Sequence, residues 1–170
     1  MTPSPVEHVK TLQPKGLGMP SSLDHLYTLQ RSPFALAPAI HEFYDGAAPR
    51  ERGLLLSYLV LPMVLYPTTQ KYLIAANGRC SLRTLCNNQS RLVGLVHNTA
   101  RFKALTHASL LVLKAERSIE ITENLAVKSV REVRRVNAVE KHLTAARRLS
   151  LIFAEADVVS IYRMLGFKSL

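Results

Sequence analysis

Cys80 and Cys86, six residues apart and followed by His97, are the nearest thing in this sequence to a nucleophile and its base. A catalytic thiol needs a lowered pKa, which Arg79 and Arg83 could supply. No orienting third group or oxyanion site accompanies them, so reduced structural thiols are expected. His97 and His107 are ten residues apart, with no Cys or carboxylate at ligand spacing from both, which argues against zinc. Glu116, Glu120 and Glu123 cluster, but Glu116 and Glu120 fall four apart at a helix end, where Arg117 and water would meet them. Metal-dependent phosphodiester cleavage instead needs carboxylates converging on a dry pocket. Gly53 and Ser57 lie in an apolar helical run and make no nucleophile elbow. The Gly-rich turn ending in Gly-Lys-Ser/Thr that cradles phosphates occurs nowhere in the 170 residues. No enzyme is expected from these residues, and no cofactor or metal is implied.

Positive charge is the chemistry that remains. The chain carries 22 Lys/Arg against 12 Asp/Glu, a formal net charge of +10, and the excess is uneven. Residues 1–78 hold six basic and five acidic residues, whereas residues 79–170 hold sixteen and seven. From Arg79 to Lys114 there are six basic residues and no acid. Such a field favours an acidic partner, either nucleic acid or an acidic protein face. If 133–154 is one helix, Arg131, Arg134, Lys141 and Arg148 fall within roughly a quarter-turn of one another. Lys103, His107, Lys114 and Arg117 project from the far side of a helix expected over 99–117. Phosphate contact needs only accessible cations and carries no base code. Only Phe102 is aromatic between Arg79 and Lys128, so stacking on single-stranded bases is not expected. The plain alternative is a set of solvated helix faces, the usual place for Lys and Arg.

The elements that must carry these residues read as mainly helical. A chain of 170 residues, 48% of them hydrophobic, can build one substantial core. The run 53–67 is too short to span a bilayer and is interrupted by Pro62. No secretory pattern is visible at the N-terminus, so the expected location is the cytoplasm, with no membrane partner. Prolines and glycines in the first nineteen residues suggest a flexible arm over 1–25, ahead of one mostly helical domain over 26–170. Leu36, Ile40, Phe43 and Tyr44 form one apolar face of a first helix, with His41, Glu42 and Asp45 away from it. Pro38 either starts that helix or kinks it. The second helix, over 54–66, is apolar nearly all round and should be central. Ser81 is a prospective N-cap for a short helix, and another short helix is expected over 89–98. In the helix over 99–117, Ala104, Leu105, Ala108, Leu111, Val112 and Ala115 make the expected inner face. Ile119 and Ile121 alternate with Glu120 and Thr122, and 125–130 could return as a second strand. Helices followed by a hairpin give 79–130 a winged-helix-like outline. Val136, Val139, Leu143, Ala146 and Ser150 are the expected inner stripe of the long helix. A last short helix over 160–165 stops at Gly166.

The block 26–44, LYTLQRSPFALAPAIHEFY, resembles the opening of the middle components of bacterial three-component ABC defence systems, the group that includes Lamassu-type systems. The apolar 54–66 with its internal Leu-Pro, and LSLIFAEA followed by IYRMLGF at 149–156 and 161–167, are similar to that family's second helix and closing helices. Ser32 stands where the family pattern has Asn, and Pro38 falls inside its helix. The resemblance implies a non-enzymatic adaptor subunit that bridges an SMC-like ABC ATPase, on a separate polypeptide, and a toxic effector, often a nuclease. Its basic half would then face duplex DNA held by the ATPase, or an acidic partner surface. The alternative is a free-standing winged-helix DNA-binding transcription regulator. That role needs polar side chains reaching base edges, and the helix over 99–117 exposes Lys, His and Arg with little Asn or Gln.

Overall fold

The computed structural model describes residues 31–77 and 80–168. The expected arm over 1–25 and the first residues of the 26–44 block lie outside these. Seven α-helices and one antiparallel hairpin make up the described chain. The helices are α1 (Pro33–Asp45), α2 (Ser57–Leu65), α3 (Pro67–Ala75), α4 (Leu82–Cys86) and α5 (Leu95–Ala115). The strands β1 (Ile119–Ile121) and β2 (Val127–Ser129) follow, then α6 (Glu140–Ile152) and α7 (Val158–Met164).

Helix α1 starts at Pro33 rather than at Pro38. Ser32 is extended and caps it, its side chain accepting from the Ala35 amide, and Pro33 sits in the first turn. Ala35 to Tyr44 are all buried, so α1 is covered on every side and not on one face only. Leu36, Ile40 and Phe43 are essentially inaccessible, each burial contributing about 1.5–3 kcal/mol. Phe43 meets Tyr44 and Phe153 edge to face. The apolar run after Arg52 begins as a 3-10 turn, Gly53–Leu56, and continues as α2, buried from Leu59 to Val64 as its composition requires. It stops at Leu65, and Pro67 opens α3 as a first-turn residue.

Helices α5 and α6 pack against both α1 and α2, with α3 against α6, so one apolar cluster runs from Leu36 to Leu165. Arg50 closes this arrangement by donating 2.7 Å hydrogen bonds to the carbonyls of Phe153 and Ala156, just past the end of α6. The cap on α4 is a reciprocal box between Ser81 and Thr84. The second short helix expected over 89–98 is a 3-10 turn, Gln89–Arg91, and α5 begins at Leu95. The hairpin pairs Ile119 with Ser129, Glu120 with Lys128 and Ile121 with Val127. Its turn is tied down: the Arg52 amide donates to Asn124 O and the Leu54 amide to Leu125 O, each at 2.9 Å. Gly166 adopts a positive φ after α7, as the stop signal requires.

Candidate interaction surface

The polar side of α1 turns inward. Glu42 is 4% exposed, and Arg135 and Arg147 reach its carboxylate from beyond the hairpin. Arg135 Nη2 lies 3.0 Å from Oε2, while Arg147 grips Oε1 through Nε at 2.6 Å and through Nη2. A buried carboxylate is tolerated when it is paired and hydrogen-bonded in this way. Beside it, His41 Nε2 is 2.9 Å from the Arg131 carbonyl and 3.0 Å from Ser129 Oγ. Ser129 Oγ is also 2.9 Å from Asp45 Oδ1. Ser, His and Asp thus come together, but not as a triad. A carbonyl can only accept, so Nε2 carries the proton, and the Ser129 hydroxyl donates to Asp45. His41 has no lone pair to offer as a base at that nitrogen.

This node explains why the long helix expected over 133–154 is shorter. The segment before Glu140 is held along α1 through the Arg131 carbonyl and Arg135, with Asn137 at a positive φ, so helix starts only at α6. Arg131 and Arg134 therefore sit in a connection, and only Lys141 and Arg148 share a helix. The four cations do not form one line on one helix. Arg131, Arg134 and Lys141 are exposed; Arg148 is half-buried in a groove of 660 Å³ with Arg83, Leu151 and Met164. Leu143, Ala146 and Ser150 face the core as expected, whereas Val136, outside the helix, is 66% exposed.

Helix α5 presents the larger surprise. Its buried residues are Leu95, Thr106, Ser109, Leu110 and Leu113. The inner face is thus turned roughly 150° from the expected one, at 100° per residue. Ala104, Leu111 and Ala115 point to solvent, together with Val96 and Ala100. Thr106 and Ser109 lie against the core, their hydroxyls buried without a hydrogen-bond partner. Lys103, His107, Lys114 and Arg117 are exposed, as the sequence suggested. Lys103, His107 and Lys114 share a side of α5, and Arg117 follows the helix at a positive φ. His107 hydrogen-bonds the Tyr58 hydroxyl, whose burial raises its pKa above the ordinary value.

Cys80 and Cys86 are free and half-buried, and burial pushes the Cys86 pKa up, against nucleophilicity. Among the described residues no group of three His, Cys, Asp or Glu is placed to hold a metal, and no helix is long and apolar enough to cross a membrane.

The family model of ABC-three component system Middle Component 3 matches residues 20–169. The chain belongs to that family. The match covers every described helix, and the middle component is thereby one part of a multi-component ABC system. No curated protein and no solved structure matches the chain. The node on α1 was missed in the sequence, although it left one signal there. Glu42 has no Lys or Arg within four residues on its own helix, so a buried Glu42 had to find a distant partner.

Proposed function

We propose that this middle component is a non-enzymatic adaptor of a bacterial defence complex, bridging an SMC-like ABC ATPase and a toxic effector of the nuclease type in the cytoplasm. The family match across nearly the whole chain carries this reading. The exposed charge supports it, because an excess of this size calls for an acidic counterpart. Arg131, Arg134 and Lys141, all exposed, are proposed to meet duplex phosphates once the chain is held in the complex. Arg148, half-buried in its groove, is left out of that contact.

Co-expression with the ATPase and effector components tests the adaptor role. A stable complex burying at least ~1,000 Å² should co-elute in size-exclusion chromatography at micromolar concentration and physiological salt. Separate elution from both would overturn the reading. Replacing Arg131, Arg134 and Lys141 by Gln should flatten the slope of log affinity for duplex DNA against log salt by about 2.7, at ~0.9 per phosphate contact. The loss should be equal for all DNA sequences, and an unchanged slope removes DNA from the role of these residues.

A further inference from the structure

We infer that the outward face of α5 seats an acidic amphipathic helix of a partner subunit. The inference deepens the adaptor reading and rests on it. Val96, Ala100, Ala104 and Ala108 succeed one another at four-residue spacing, and Leu111 and Ala115 lie beside them on the adjacent row of the same face. This is the ridge that packs into the groove of a facing helix. Ala108 is half-buried and the rest are exposed; Leu111 is 67% and Val96 52% accessible. The three alanines of that row let a second helix come close, and the larger Val96 and Leu111 on the same face offer apolar area. Helix α5 has 21 residues, about 31 Å at 1.5 Å per residue, which is room for several turns of a partner.

Charge decides which helix. No Asp or Glu lies within α5, and its cations flank the ridge: Lys103 and Lys114 on one side, Arg101 on the other. These are the positions from which charged side chains select a partner in paired helices. A second copy would set these three cations against three more, so self-pairing is disfavoured. Nucleic acid fits poorly, because the apolar ridge occupies the centre of the face where phosphates would lie. An amphipathic helix with Glu or Asp on both flanks of its apolar stripe meets both requirements, in the helix-in-groove manner.

Ala104→Arg separates these occupants. The position is exposed and Arg is a good helix former, so folding should be unaffected, which thermal denaturation verifies. The new side chain obstructs a close-packed helix but adds a cation that phosphates would welcome. Full-length chain, wild type and variant, is titrated against the ATPase and effector components separately and against duplex DNA. Ala104→Arg should weaken one of the two protein complexes at least about tenfold, a loss of about 1.4 kcal/mol. Leu111→Gln should act in the same direction, and Lys103→Glu with Lys114→Glu should weaken the same complex. If wild type binds neither component, the adaptor reading falls and this inference falls with it. If wild type binds and both Ala104→Arg and Leu111→Gln bind equally well, the adaptor reading stands and the α5 assignment is wrong. The assignment is equally wrong if Ala104→Arg abolishes self-association of the chain, or tightens DNA binding while leaving both protein complexes unchanged.

Discussion

The inner side of α1 and the outer side of α5 are each built against type. On α1, His41 and Glu42 are polar and buried, yet the polar contacts that hold them are complete enough to anchor a distant segment. On α5, Val96, Ala104 and Leu111 are apolar and exposed, with no covering element among the described residues. The difference separates folding from function. A buried charge with two cationic partners serves the fold, because it fixes where the connection before α6 must run. An exposed apolar ridge does no packing among the described residues, which is why we assign it to a partner.

The largest effect should come from α1. Glu42→Ala removes the shared anion and leaves Arg135 and Arg147 facing each other across the vacated site. Loss of one member of such a buried arrangement costs about 3–5 kcal/mol. Urea denaturation followed by circular dichroism should show a loss near the lower end, ~3 kcal/mol, since both arginines are more than half exposed and can rehydrate. Leu111→Gln in the same assay should stay within about 0.5 kcal/mol of wild type. Equal costs for the two would erase the contrast between the regions. Glu42→Met should cost less than Glu42→Ala, because its side chain refills the buried site while the two exposed arginines rehydrate.

A smaller effect of opposite sign is expected from within α5. Thr106 faces the core with its hydroxyl unpartnered, while Leu111 faces water. Thr106→Val keeps the shape and removes the unsatisfied hydroxyl, so it should stabilise the chain by about 1 kcal/mol. A destabilised variant would mean that the hydroxyl has a partner after all, such as a buried water, and that the inner face of α5 is less incongruous than it looks.

These two helices also mark what the sequence could and could not convey. The apolar 54–66 run, the Ser81 cap, the alternating Ile119 and Ile121 and the Gly166 stop were legible, because each depends on a few neighbouring residues. The family was legible too, through the 26–44 block and the closing helices. The orientation of α5 was not. Periodicity picks the most apolar stripe of a helix, and α5 has two that compete. The core took the one containing Thr106 and Ser109, small enough for α5 to lie against both α1 and α2. The start of α6 was hidden for a different reason. Residues 133–139 suit a helix locally, but Arg135 is drawn to Glu42, 93 positions away. That tertiary pull moved Arg131 and Arg134 off the helix and dissolved the four-cation stripe.

The weakest effect to test lies on α6, where the contrast between satisfied and unsatisfied polar groups is narrowest. His142 is half-buried, and its Nδ1 is buried without a hydrogen-bond partner. Desolvation lowers its pKa, since the surroundings disfavour the charged ring. Above about pH 6.5, the ordinary histidine value, the ring is neutral whether the chain is folded or unfolded and adds no pH dependence. As pH falls below that, the unfolded chain takes up the proton first, so stability declines until the folded imidazole titrates as well. The unfolding free energy of wild type should therefore fall with decreasing pH through this window, and His142→Gln should show a shallower fall. Urea titrations at closely spaced pH values below 7 measure both slopes. Identical slopes would show that His142 finds a partner for its charged form in the folded chain. Its unpartnered nitrogen would then join His41 and Glu42 among the satisfied groups, and the outer ridge of α5 would stand further apart from the rest of the molecule.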